Sequence, residues 1–156
     1  MDFKPYLFSE ETLLSRVDEA LSRQSRLCDR NESLKTIFQC IDFTTLEAFD
    51  NETKDNDLHI SVPAVCIYSP FVRQAKELLR GSGIKVATVA CAFPSGQMPF
   101  ELKRREVEYC VDQGADEVDM VISRGTFLAG RLDEVYEEIK SVREACAPPV
   151  RLKVIL

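Results

Sequence analysis

Three charged side chains stand inside segments that otherwise read as buried strands. Asp42 lies in Ile41-Asp42-Phe43-Thr44-Thr45, Asp119 in the run EVDMVI from Glu117 to Ile122, and Lys153 in VRLKVIL from Val150 to Leu156. Side chains alternate across a strand, so each segment has two faces. Val118, Met120 and Ile122 share one face, with Glu117, Asp119 and Val121 on the other. Val150, Leu152, Val154 and Leu156 oppose Arg151, Lys153 and Ile155, and Ile41 and Phe43 oppose Asp42 and Thr44. The apolar faces are expected against helices, and the charged faces toward a barrel interior or the far side of a sheet. A buried charge without a partner is costly, so Asp42, Asp119 and Lys153 are expected to neutralise one another. Carboxylates beside a lysine suit proton transfer and amine activation. The same pattern also serves a structural ion pair without chemistry, and the residues alone leave both readings open.

Other reactive types have plainer readings. Cys66 is flanked by apolar residues and reads as core packing, since a reactive thiol needs an electropositive setting. His59 falls in a polar stretch and reads as solvated. The run Lys103-Arg104-Arg105 reads as the solvated face of a helix, balanced by Glu101, Glu106 and Glu108. Phe93-Pro94-Ser95-Gly96-Gln97 follows a strand and reads as a loop shaped by Pro94 and Gly96.

The elements that must position these residues follow a rhythm. A helix is expected over 9–27, with Ser9 as cap, acids at Glu10 and Glu11, and Leu13, Leu14, Val17 and Leu21 at helical spacing. A second, short helix follows Asn31. Strands are expected at 41–45, 64–68 (AVCIY), 85–93 (KVATVACAF), 117–122 and 150–156. Helical patterns lie between them, one from Pro70 to a stop at Gly81, one from Pro99 to Gly114, and one carrying Leu132, Val135, Tyr136, Ile139 and Val142. Residues 46–63 are mostly polar and read as a loop. Strand–helix alternation predicts parallel strands covered by helices, either an open doubly wound sheet or a (β/α)8 barrel. No glycine-rich nucleotide-binding motif follows any strand.

Composition bounds the function. The 156 residues carry 20 Lys+Arg against 26 Asp+Glu, a net charge of -6, with 45% apolar and 29% charged residues. This is the profile of one globular domain. The acidic balance argues against a nucleic-acid or anionic-membrane partner. No run approaches the roughly 18 apolar residues of a membrane helix. The N-terminus MDFKPYLFSEE lacks the pattern of a secretory signal. Six scattered cysteines without a C-x-x-C pair, and a single histidine, predict reduced thiols, no structural metal and a cytoplasmic protein.

Several blocks together resemble the deoxyribose-phosphate aldolases, class I aldolases of the (β/α)8 TIM-barrel type. They are Ile41-Asp42-Phe43-Thr44-Thr45-Leu46, Ala64-Val65-Cys66-Ile67-Tyr68, Val86-Ala87-Thr88-Val89, Phe93-Pro94-Ser95-Gly96, GADEVDMV over 114–121, and Leu152-Lys153-Val154-Ile155. The resemblance covers about residues 34–156. It implies reversible cleavage of 2-deoxyribose 5-phosphate to glyceraldehyde 3-phosphate and acetaldehyde through a lysine Schiff base, with no metal or other cofactor. On the matching positions it implies that Asp119 shuttles protons with water, that Asp42 and Lys153 belong to the same polar network, and that Cys66 and Thr44 lie at the substrate pocket.

The chain also departs from the family. The Schiff-base lysine of such enzymes lies on a sixth strand in a motif like TSTGK, and a second lysine on a seventh in a motif like KPAGG. Neither motif occurs in these residues. The expected architecture is therefore an N-terminal helical extension over 1–38 and a partial barrel over 39–156 that stops after the fifth strand. Five strands cannot close an eight-stranded barrel, and VRLKVIL would form an apolar edge. The expectation is a fragment, a truncated product or part of an assembly such as a homo-oligomer, with weak or absent turnover. The alternative is a non-catalytic aldolase-like protein with a binding or interaction role.

Overall fold

The computed structural model describes residues 9–24, 30–46 and 62–156. His59 and nearly all of the expected polar loop lie outside the described residues. The chain divides into two compact units, Met1–Cys40 and Ile41–Leu156. The first carries helices α1 (Glu10–Gln24) and α2 (Arg30–Phe38). Ser9 caps α1 as its residue type suggests, its Oγ accepting from the Thr12 backbone N–H at 3.2 Å.

The second unit runs β1 (Asp42–Thr44), β2 (Ala64–Ile67), α3 (Val72–Leu78), β3 (Lys85–Ala90), α4 (Phe100–Asp112), β4 (Glu117–Val121), α5 (Arg124–Leu128), α6 (Leu132–Ala145) and β5 (Arg151–Ile155). The five strands form one parallel sheet in the order β1-β2-β3-β4-β5. A doubly wound sheet reverses its strand order at a switch point, whereas a barrel lays strands down consecutively. The unbroken order decides between the two architectures in favour of the barrel type.

One face of the sheet carries the main core. Val86, Ala90, Val118, Met120 and Ile122 pack there with Val72 of the α3 side, Val107 and Cys110 of α4, and Val135 and Val142 of α6. Fully burying such an aliphatic side chain contributes roughly 1.5–3 kcal/mol, so this face supplies most of the adhesion between sheet and helices. The alternation in EVDMVI does the sorting: Val118 and Met120 turn to the helices, Glu117 and Asp119 to the opposite, concave face.

The reading of Lys103-Arg104-Arg105 as a wholly solvated face is corrected. Arg104 pairs with Glu108 on the surface, but Lys103 is 0% exposed. Its Nζ donates to Glu138 Oε1 at 2.7 Å and to Ser123 Oγ at 2.8 Å, and Glu138 Oε2 accepts from the Ser123 N–H at 2.9 Å. Lys103 shares a helix face with Val107 and Cys110, four and seven residues on, and α4 packs that face against α6. On α4, Glu106 also leaves the surface, its Oε2 accepting from the Ala92 N–H at 2.9 Å.

The loop after β3 is held by a close approach. Gly96 has φ +70°, and a Cβ there would lie 2.3 Å from the Ile122 carbonyl oxygen. Only glycine fits both the left-handed backbone and the gap. Arg124 Nη2 donates to the Pro94 carbonyl at 2.7 Å, so the loops after β3 and β4 are tied together at the C-terminal ends of their strands.

Candidate functional site

Strand register lays out the concave face in layers. Thr44, Cys66, Ala87, Glu117 and Arg151 are successive partners across the five strands, and Val89, Asp119 and Lys153 form the next layer on β3, β4 and β5. Ala87 and Val89 are small, which leaves the space above them to the longer charged chains. Cys66, Ala87 and Val89 form a small apolar cluster with Leu46, Tyr68 and Phe93. The rings of Tyr68 and Phe93, just beyond β2 and β3, meet edge to face at 6.5 Å.

The three charges singled out by alternation converge. Lys153 Nζ lies 2.5 Å from Asp42 Oδ2 and 3.1 Å from Asp119 Oδ1. Asp42 and Lys153 sit on the two edge strands of the sheet, so the first contact is possible only because the sheet curls toward closure. A flat sheet would hold β1 and β5 about 19 Å apart, four strand spacings. Lys153 also touches Glu117 Oε2 at 3.2 Å. Glu117 is 5% exposed and takes two further cations on Oε1, Arg151 at 3.3 Å and Lys85 at 3.5 Å.

Alternation placed Glu117 on the charged face, but its part in the cluster was missed, as were those of Arg151 and Lys85. The available signal was position: Glu117 precedes Asp119 by two residues, and Arg151 precedes Lys153 by two.

Burial and charge pull in opposite directions here. For Lys153, burial would lower the pKa, but the Asp42 and Asp119 carboxylates outweigh it and the ammonium is held above its ordinary range. For Asp119, burial raises the pKa more strongly than the Lys153 ammonium lowers it, and the Asp42 charge adds to the rise. Asp119 Oδ1 is buried and faces the Lys153 ammonium. Its other oxygen accepts from the Cys66 thiol at 3.7 Å. Burial, with the Asp119 charge next, pushes the Cys66 thiol up to about 12, so Cys66 stays protonated and acts as a donor rather than a nucleophile. Thr44 is exposed, and its hydroxyl donates to the Asp42 carbonyl at 3.2 Å.

This arrangement can exchange protons. A largely buried carboxylate with a raised pKa, held beside an ammonium, is suited to exchange a proton with water or a substrate hydroxyl. The acids in it are occupied by cations, and among the described residues no group of three or more His, Cys, Asp or Glu side chains is placed to hold a metal ion. No helix among the described residues is long and apolar enough to cross a membrane.

No family model matches the chain. Individual relatives do. The chain is 34% identical over 155 residues to the deoxyribose-phosphate aldolase of Mus musculus, covering 98% of this chain and 45% of that protein. It is 40% identical over 122 residues to that of Mycoplasma mobile, covering 74% and 55%. Among solved structures, the tetrameric deoxyribose phosphate aldolase of Aeropyrum pernix superposes with a TM-score of 0.62 at 26% identity, over 77% of this chain and 52% of that one. The chain thus spans about half the length of the curated relatives it matches. Similarity that runs through nearly all of the chain, on five consecutive parallel strands of a barrel, makes it a member of the deoxyribose-phosphate aldolase family.

Proposed function

We propose that this chain serves the reversible cleavage of 2-deoxy-D-ribose 5-phosphate to glyceraldehyde 3-phosphate and acetaldehyde, and that its share of the site is the proton relay. Asp119 moves the proton through water. Asp42 and Lys153 form the charged frame that keeps this carboxylate oriented, and Cys66 and Thr44 border the sugar. The supporting observation is the setting of Lys153. Its ammonium meets three carboxylates within 3.2 Å, and an ammonium has no lone pair with which to attack an aldehyde.

The Schiff-base amine is then supplied by residues other than these, in keeping with the absence of TSTGK- and KPAGG-like motifs. The chemistry as proposed uses no metal or organic cofactor, in the cytoplasm, and assembly as a homo-oligomer accords with the tetrameric relative from Aeropyrum pernix. A second reading, an aldolase-like protein that binds a phosphosugar without turning it over, is favoured by the same missing motifs.

A chimera separates the two. Residues 41–156 replace the corresponding part of the Mus musculus aldolase, and cleavage of deoxyribose 5-phosphate is assayed. The relay reading expects turnover, reduced at least about 100-fold by Asp119→Asn. A folded chimera without turnover favours the binding reading. Borohydride reduction of the present chain with the sugar phosphate is expected to leave Lys153 unmodified, and a covalent adduct on Lys153 would overturn its assignment to the frame.

A further inference from the structure

We propose that Glu117 is the positioning residue of this site: by joining Lys85, Arg151 and Lys153 through one carboxylate, it holds the Lys153 ammonium against Asp42 and Asp119. The inference rests on the relay reading of those three groups and adds a residue to it. Among the described residues, the concave face carries three acids, Asp42, Glu117 and Asp119, and three cations, Lys85, Arg151 and Lys153. The Cys66 thiol donates to Asp119, and the Tyr68 phenol packs near Cys66. These formal charges cancel, but the contacts are unequal. Among the described residues, Asp42 and Asp119 pair with Lys153, whereas Glu117 reaches all three cations, at 3.2, 3.3 and 3.5 Å.

Two consequences follow from that shared contact. Glu117 is nearly enclosed, so its charge is weakly screened, while Lys85 is about half exposed and Arg151 more. Without this carboxylate, Lys153 would face two neighbouring cations with no acid between them. Repulsion would then move its side chain and make the neutral amine easier to form. Glu117 therefore acts through Lys153, from the layer next to that of Asp119.

The test reads the charge state of Lys153 in the full chain. Trace acetylation with acetic anhydride across a pH series, resolved by mass spectrometry, gives the reactivity of each lysine, with exposed Lys140 as internal standard. Glu117→Gln keeps the size of the side chain and removes its charge. It is expected to raise Lys153 reactivity about tenfold near neutral pH, the effect of a pKa lowered by about one unit. Glu117→Asp is expected to restore most of the wild-type profile, which loss of packing alone would not do.

Arg151→Gln is mostly exposed and safe for folding. Freeing Glu117 from one competitor, it is expected to lower Lys153 reactivity, so the proposal stays testable if Glu117→Gln does not fold. An unchanged Lys153 profile in Glu117→Gln, or increased reactivity in Arg151→Gln, overturns it. An inactive chimera would sink the relay reading and leave this titration intact. A flat titration would sink the role of Glu117 and leave the relay standing.

Discussion

Two of the lysine–carboxylate clusters among the described residues lie on opposite faces of the same sheet, and they are built differently. On the helix side, Lys103 is fully enclosed, one carboxylate answers it, and Ser123 completes the set with both its hydroxyl and its N–H. On the concave side, Lys153 is 34% exposed and three carboxylates crowd it. In the first cluster each polar atom has a protein partner in an enclosed setting. The second balances three acids against three cations, two of them well exposed, and its lysine is partly open to solvent. A lysine paired with a glutamate or aspartate is thus common to both faces, and what separates them is enclosure.

The comparison predicts a graded series. Lys103→Met leaves Glu138 charged and enclosed among apolar neighbours, and should cost about 3–5 kcal/mol in urea denaturation. Lys103→Met with Glu138→Leu should recover most of that loss, because two apolar groups of similar size replace the pair. A double variant as unstable as the single one would mean the cluster holds the Ser123 loop in a way that packing cannot replace. Lys153→Met should cost far less, about 1 kcal/mol, since the Lys153 side chain is itself partly solvated and Glu117 keeps two other cations. If Lys153→Met proves as damaging as Lys103→Met, the contrast between the clusters fails.

Asp119→Asn sharpens the contrast through pH. The folded pKa of Asp119 is raised, so the folded chain holds this proton more tightly than the unfolded one. Its contribution to stability is therefore full below the unfolded carboxyl value of about 3.9, and is lost as pH rises through the folded value. The variant lacks that loss. Its stability relative to wild type should improve as pH rises above the unfolded carboxyl value, measured by denaturation across a pH series. The smallest effect is expected on the surface, where Arg104→Ala breaks the exposed pair with Glu108 and should change stability by less than about 0.5 kcal/mol.

Period-two alternation made the concave cluster legible, because in EVDMVI and VRLKVIL each charge sits between apolar neighbours that must face the other way. Consecutive strand–helix units foretold a parallel sheet, the family resemblance pointed to the barrel, and strand order and curvature, which are tertiary, bear that out. Glu117 stood on the right face in the sequence, but its three contacts depend on register with Ala87 and Arg151 and on a Lys85 chain from β3. Lys103 was misread because its run of basic neighbours suggested solvent. Helical spacing held the better clue, since Lys103 with Val107 and Cys110 forms the buried stripe of α4, and Glu138 with Val135 and Val142 that of α6.

The central claim is that Lys153 is a fixed ammonium framing Asp119, not an amine awaiting an aldehyde. Nitrogen-15 NMR of the side-chain Nζ in the full chain reads this directly. The account predicts an ammonium resonance for Lys153 that persists above the ordinary lysine pKa of about 10.4 and outlasts those of the exposed lysines. A Lys153 that is already a neutral amine near pH 7 would contradict it.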